Sequence, residues 1–95
     1  MTDQHHRYEV DLTRAARRAL AEQLPMDVVM GVADFLAGPL ADNPQRVGKP
    51  LNPPLGDKYS ARLMREYRLL YTIDEQQRRV NVESIRHRRD AYRSP

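Results

Sequence analysis

The sequence predicts an α+β domain in the order β-α-α-β-β-β, and this prediction rests on two patterns. Near the N-terminus a short alternating segment is followed by apolar residues at helical spacing, from 13 to 37. In the C-terminal half, three successive segments alternate with the period of two that is typical of strands. We therefore expect an N-terminal helical hairpin packed on an antiparallel sheet, followed by a short basic C-terminal tail or helix.

The N-terminal half supplies the first strand and both helices. Tyr8-Glu9-Val10-Asp11-Leu12 alternates apolar with acidic residues, which indicates a strand with one buried face. Thr13 is a suitable N-cap for a helix that ends near Leu24. After Pro25 a second amphipathic helix begins, and Gly38-Pro39 ends it.

Residues 38–57 are predicted to form a long irregular loop, because they hold five of the seven prolines and three of the four glycines. A loop of this length is uncommon in a compact domain unless it is functional. Its exposed cations, Arg46 and Lys49, are candidate substrate-binding residues. The expected organisation is one domain over 1–95, with 1–7 flexible.

Three further strands are predicted at 58–64, 67–73 and 79–86, joined as an antiparallel meander. In the last strand Ile85 has the opposite parity to Val80 and Val82. A bulge near Glu83-Ser84 resolves this conflict, and it would re-aim the residues that follow.

Composition excludes several classes of protein. Without cysteine, disulfide scaffolds and thiolate chemistry are ruled out. The apolar runs fall far short of the ~20 residues of a membrane span, and an apolar signal core is missing, so we expect a soluble cytoplasmic protein that does not bind membranes. His5-His6 lacks a third ligand at suitable spacing, and glycine-rich phosphate loops are absent. We therefore expect neither a metal nor a cofactor.

The positive charge is concentrated in the C-terminal half. Residues 58–95 carry 10 Lys and Arg against 5 acidic residues, whereas 1–57 carry 6 against 8. Fourteen of the sixteen cations are arginine, whose planar fork binds phosphate through two parallel hydrogen bonds. This favours a nucleic-acid partner, and a merely solvated basic surface is an equally open interpretation.

Residues near the C-terminus can supply the chemistry of RNA cleavage by the 2′-hydroxyl. That reaction needs a base for the hydroxyl proton, cations for the charged phosphorane and help for the departing 5′-oxygen. Histidine titrates near neutrality, and tyrosine can act as a base when cations surround it. The candidates are Arg62, Arg68, Arg86, His87, Arg88, Arg89 and Tyr92. The alternative is a solvated tail with Tyr92 as a packing anchor.

Four segments together resemble the RelE/ParE superfamily of bacterial toxins, in particular its actinobacterial RelE-like branch. They are Gly48-Lys49-Pro50-Leu51, Tyr59-Ser60-Ala61-Arg62, Tyr67-Arg68-Leu69-Leu70-Tyr71-Thr72-Ile73-Asp74 and Ile85-Arg86-His87-Arg88-Arg89-Asp90-Ala91-Tyr92-Arg93. The resemblance extends from Tyr8 to Arg93 in the same order of elements.

This resemblance implies a toxin of a type II toxin–antitoxin system that cleaves mRNA in the ribosomal A site without a metal. It assigns catalytic roles to Arg68, Arg86, His87 and Tyr92, with either His87 or Tyr92 as the general base. The implied partners are the ribosome, mRNA and a cognate RelB-like antitoxin, with DNA bound only through the antitoxin.

The sequence departs from the family pattern on the second predicted strand of the chain, 58–64. Two lysines of such toxins would fall near Tyr59 and Ala61, and neither residue can hold a phosphate charge. Lys58, Arg62 and Arg65 are the candidate replacements, and Arg65 lies in a one-residue insertion.

Two other functions fit the same resemblance. One is a ParE-like toxin that binds and poisons DNA gyrase without cleaving RNA. The other is a basic interaction module that acts only as a corepressor with its antitoxin. The pair formed by His87 and Tyr92 favours cleavage, because a binding module needs no titratable pair beside an arginine cluster.

Overall fold

The computed structural model describes residues 7–52 and 56–91, which form a five-stranded sheet with helices packed on one face. The strands are β1 (Glu9–Leu12), β2 (Lys49–Pro50), β3 (Lys58–Leu63), β4 (Tyr67–Asp74) and β5 (Arg79–His87), in the order β1-β5-β4-β3-β2. The predicted α+β class and the antiparallel meander of β3, β4 and β5 are confirmed.

The sheet is mixed, which corrects the expectation of a wholly antiparallel one. β1 pairs with β5 in parallel, with Val10 opposite Val80. Alternation determines which side chains are buried, but it carries no information on the direction of a strand. The sequence pattern therefore fits either pairing of β1 equally well.

Both predicted helices are present on either side of Pro25. The helix α1 (Arg14–Arg18) starts at Thr13, whose hydroxyl accepts a hydrogen bond from the Ala16 amide at 3.2 Å. It continues as a π-helical turn (Ala19–Gln23), which the Leu24 amide closes by donating to the Ala19 carbonyl at 3.1 Å. The second helix is α2 (Met26–Ala37).

The prediction of an irregular loop over 38–57 is wrong for half of that segment. It contains α3 (Pro39–Asp42), α4 (Pro44–Val47) and β2. Proline is tolerated in these elements because Pro39 and Pro44 stand at the first helical positions, where an amide proton is not needed, and Pro50 lies on an edge strand. Residues 53–55 lie outside the described part of the chain.

The core lies between the helices and the sheet. Ala16, Val28, Val32 and Leu40 from the helical layer pack against buried residues of the sheet. Those sheet residues are Ala61, Leu63, Leu69, Tyr71, Val80, Val82 and Ile85. Neighbouring residues of a strand point to opposite faces, so the alternate residues of the meander lie on a second face. The helical residues of the core pack on the first face, and we call the second one the uncovered face.

The two ends of the described chain are held by specific contacts. Arg7 donates to the Ala37 carbonyl and pairs with Asp42 at 3.1 Å, while residues 1–6, which include His5 and His6, lie outside the described residues. A short helix, α5 (Arg88–Ala91), follows β5 directly, which agrees with the predicted basic tail or helix. Within 7–52 and 56–91, no helix is long and apolar enough to cross a membrane.

Candidate functional site

Three arginines stand side by side across the uncovered face of the sheet. Arg62 of β3 is the register partner of Arg68 of β4, and Arg68 is the partner of Arg86 of β5. Directly opposite residues have Cβ atoms about 4.5–5.5 Å apart. We call Arg62, Arg68 and Arg86 the arginine row. Arg62 and Arg86 are exposed, and Arg68 is half-buried.

The predicted bulge at Glu83 is confirmed, and it creates this row. Tyr71 pairs with Val82 while Leu70 pairs with Ser84, so Glu83 has no partner on β4. Without the extra residue, continued pairing would bring Ile85 opposite Arg68. The bulge thus keeps Ile85 in the core and turns the next residue of β5 toward the uncovered face.

Two contacts from neighbouring elements hold the bulge. The Thr13 hydroxyl donates to the Glu83 carbonyl at 2.8 Å. The Lys58 ammonium lies 2.5 Å from the Glu83 carboxylate, and both side chains are largely screened from solvent, at 23% and 27% exposure. The hydrogen bond to Glu83 raises the pKa of Lys58. Lys58, a candidate for substrate binding, is therefore engaged in holding the bulge.

The remaining candidate cations lie at different distances from the arginine row. Lys49 pairs in register with Ser60, which places it one row away on the same face. Arg65 lies at the exposed tip of the β3–β4 turn. Arg46 belongs to α4, which packs on the opposite face through a hydrogen bond from the Tyr71 hydroxyl to the Pro44 carbonyl. The structure does not bring Arg46 to the row.

An open pocket of about 460 Å³ lies beside the arginine row at the start of α5. It is lined by Glu66, Arg68, His87, Arg88 and Arg89, and we call it the cationic pocket. Three guanidinium groups against one carboxylate make it a suitable site for a phosphate group.

His87, the last residue of β5, contacts α5 through one ring nitrogen and the β3–β4 turn through the other. The Arg89 amide lies 3.1 Å from Nδ1, and Nε2 lies 3.3 Å from the Glu66 carboxylate. Because an amide can only donate, Nδ1 must accept, which assigns the ring proton to Nε2. His87 therefore acts as the N-cap of α5 in this arrangement, and neither nitrogen is open to a substrate hydroxyl.

Glu66 is the site residue that sequence reasoning missed. Its backbone carbonyl accepts from the Arg88 amide at 2.5 Å, while its side chain contacts His87. The Tyr67 ring packs edge-on against the His87 ring, with centroids 5.2 Å apart. The signal that could have identified Glu66 is strand register. Tyr67 pairs with His87, so the residue before Tyr67 lies next to the start of α5.

The predicted catalytic residue Tyr92 lies outside the described residues, and it follows Ala91, the last residue of α5, in the sequence. In the described ranges, no group of three or more His, Asp or Glu side chains is arranged to hold a metal ion.

Comparison with known proteins gives two curated relatives from Mycobacterium tuberculosis. Over 93 residues the chain is 40% identical to Toxin RelE, a match that covers 98% of this chain and 93% of the relative. Over 86 residues it is 43% identical to Toxin RelG, covering 90% of this chain and 97% of the relative. No family model matches the chain.

Solved structures share the same architecture. The toxin–antitoxin complex RelBE2 from Mycobacterium tuberculosis contains a chain that superposes with a TM-score of 0.80 at 41% identity, covering 86% of this chain and 99% of that one. The isolated RelE toxin of E. coli gives a TM-score of 0.68 at 23% identity, covering 84% and 83%. The second likeness supports the fold alone.

Proposed function

The chain belongs to the RelE family of type II toxins, and we propose that it inhibits translation by cleaving mRNA in the A site of the ribosome. The observation that supports this proposal is the arginine row beside the cationic pocket. Like charges directly opposite each other destabilise a sheet. Within the described part of the chain, neither Arg62 nor Arg86 pairs with a carboxylate. A bound phosphate would relieve this repulsion.

In the proposed reaction the 2′-oxygen of one nucleotide attacks the adjacent phosphorus, and the bond from phosphorus to the 5′-oxygen breaks. Arg62 and Arg68 bind the phosphate and stabilise the charge of the phosphorane. Arg86 stabilises the departing 5′-oxygen, which takes a proton from water. The products are a 2′,3′-cyclic phosphate and a free 5′-hydroxyl.

We assign the general base to Tyr92 and a positioning role to His87. Both ring nitrogens of His87 are occupied, by the Arg89 amide and the Glu66 carboxylate, so the imidazole offers no lone pair to the 2′-hydroxyl. Its proposed role is to hold α5, whose first two residues line the cationic pocket. Tyr92 follows α5 in the sequence, three residues after Arg89 and one before Arg93. Cations close to a phenol favour its phenolate form, which is the form that a general base requires.

The ribosome would supply what this shallow site lacks. An open pocket on a sheet face does not hold a flexible RNA strand in line for attack, and such positioning is worth about 7–11 kcal/mol. We therefore expect free RNA to be cut poorly. A protein that acts on ribosomes works in the cytoplasm.

A cognate RelB-like antitoxin is the proposed partner of the free toxin. The solved relative is a toxin–antitoxin complex. The cationic pocket of this chain offers a binding site for an acidic segment, which would exclude mRNA from the arginine row.

The test is to incubate the purified full chain with ribosomes programmed with a defined mRNA and to map the ends of the products. We expect cleavage in the A-site codon and a 2′,3′-cyclic phosphate. Arg68→Ala should slow cleavage about 10²–10³-fold, and Tyr92→Phe about 10²–10⁴-fold.

Arg17→Ala is the matched control, because it removes an exposed guanidinium from α1 rather than from the row, and it should cleave like the unsubstituted chain. Uncut mRNA would contradict the proposal. Inhibition of gyrase in a supercoiling assay would then favour the ParE-like alternative.

A further inference from the structure

A second cationic groove lies along the edge of β5 and meets the arginine row at Arg86. Its volume is about 520 Å³. Arg14 and Arg18 line it from α1, Gln23 lines it from the π-helical turn, and Ser84 and Arg86 line it from β5. We call it the α1 groove.

The topology explains why this groove exists. β1 covers the edge of β5 only as far as Leu12, which pairs with Val82. Thr13 then bonds to the carbonyls of Val82 and Glu83 and turns the chain into α1. From Ser84 onward, β5 is therefore flanked by a helix instead of a strand, and the space between them is open.

Shared lining residues link the α1 groove to the cationic pocket. A smaller pocket of about 240 Å³ lies between them. It shares Gln23 and Arg86 with the α1 groove and shares His87 with the cationic pocket. Arg86, a member of the arginine row, therefore lines the α1 groove and the smaller pocket, and His87 lines the smaller pocket and the cationic pocket, along a concave path from α1 to α5.

The charge along this path is predominantly positive. Arg14 and Arg18 are one helical turn apart, and like charges at this spacing destabilise an isolated helix. In the α1 groove, Arg18 pairs with Glu22 at 3.7 Å, and both side chains are 65% exposed. Such an exposed pair is weak and readily exchanged for a phosphate.

We propose that the α1 groove is a second phosphate subsite, which binds the backbone of the RNA strand beyond the scissile phosphate. This inference rests on the proposed function and extends it by naming the path of the substrate. The polar lining residues offer guanidinium, amide and hydroxyl donors, and the remaining lining residues are Ala15, Ala19 and Ile85. None of them is an aromatic residue on which a base could stack. The subsite would therefore bind RNA through its phosphates, independently of sequence.

The test measures the affinity of the full chain for a labelled single-stranded RNA at several salt concentrations. The double variant Arg14→Ala with Arg18→Ala should bind about five- to thirtyfold more weakly at low salt. Loss of two phosphate contacts should also reduce the slope of log K against log salt by about 1.4. Arg17→Ala is the control, since Arg17 lies on the same helix but does not line the groove.

The length of the RNA gives a second readout. A dinucleotide, which reaches only the scissile position, should bind the double variant and the unsubstituted chain equally, while a longer strand should distinguish them. Equal affinity and equal salt slope for the longer strand would overturn the proposal. So would a defect of the double variant that appears only with polyglutamate, because the groove would then serve an acidic polypeptide.

Failure of this subsite can be separated from failure of the proposed function. If ribosome-bound mRNA is cut but the double variant binds the longer RNA normally, the subsite is wrong and cleavage stands. If the double variant loses affinity and slope while mRNA stays uncut, the subsite stands and the proposed reaction is wrong. Absence of any measurable binding by the unsubstituted chain at low salt would overturn the subsite directly.

Discussion

At the scale of single residues, Tyr71 is the side chain that joins the sheet to the segment between α2 and β3. Its ring is fully buried, and its hydroxyl donates to the Pro44 carbonyl at 2.7 Å. A Cβ added at Gly48 would lie 2.2 Å from that hydroxyl. Glycine is therefore required at position 48, because the backbone there lies against the Tyr71 hydroxyl. Any side chain would displace the phenol and break its hydrogen bond to α4.

The buried phenol predicts a loss of stability at alkaline pH. Burial raises the pKa of Tyr71 from 10.0 to about 12. The fold favours the protonated form, so this stabilisation is complete below about pH 10 and is lost as the pH rises toward about 12. Urea unfolding of the full chain at about pH 9 and about pH 11 should show the fall.

Tyr71→Phe provides the comparison for this prediction. It should lower the free energy of unfolding by about 1–3 kcal/mol at neutral pH, because the Pro44 carbonyl loses its donor. Between about pH 9 and about pH 11, however, the variant should lose about 1–2 kcal/mol less than the unsubstituted chain. Lys58, whose pKa is also raised by its partner, adds to the alkaline loss in both proteins and cancels in the comparison. An identical fall in both would contradict the assignment to Tyr71.

At the scale of elements, features that follow from the alternation of buried and exposed side chains could be predicted from the sequence. Features that depend on the local backbone conformation could not. The bulge at Glu83 could be predicted, because Ile85 can be buried together with Val80 and Val82 only if one residue of β5 has no partner on β4. The helical turns at Pro39 and Pro44 were missed because proline ends a helix and also begins one, and composition does not distinguish the two cases.

The turn between β3 and β4 makes a testable case of backbone strain. Met64 and Arg65 both have positive φ, at 52° and 70°. A residue with a side chain pays about 1–2 kcal/mol in this region, whereas glycine adopts it freely.

Arg65→Gly should therefore stabilise the chain by about 0.5 kcal/mol, after the greater flexibility of glycine in the unfolded state is subtracted. This corresponds to a rise in Tm of about 2–4 °C by differential scanning calorimetry. The control is Arg65→Ala, which removes the same charge but keeps the strained conformation, and it should leave Tm nearly unchanged. An equal gain from both variants would assign the effect to charge and not to the turn.

At the scale of the whole molecule, strand register explains why part of the site could be predicted from the sequence. Arg62, Arg68 and Arg86 could be placed together because strand register follows from burial of the apolar partners on the other face. The tautomer of His87 and the role of Glu66 could not, since they depend on how the chain leaves β5 and enters α5. The alternation of residues within a strand carries no information on the backbone at such junctions.

We predict that repulsion within the arginine row lowers the stability of the fold, although the row serves the proposed cleavage of mRNA. Arg62→Thr places a good strand former at the position and removes one of three facing positive charges. At low salt it should raise Tm by about 1–8 °C, from a gain of about 0.2–1 kcal/mol. Cleavage on ribosomes should be slower in the same variant. Added salt screens the repulsion, so the gain in Tm should shrink as ionic strength rises.

Arg79→Thr is the control of opposite sign. Arg79 lies on β5 at the far end from the row and pairs with Asp11 at 2.6 Å and Glu9 at 3.2 Å. Removing it deletes attractions instead of repulsions, so Tm should fall at low salt, and this loss should also shrink with added salt. If Arg62→Thr lowers Tm, or if its gain persists unchanged at high salt, the row carries no electrostatic strain. The uncovered face would then be an ordinary solvated surface, which was the alternative that the composition left open.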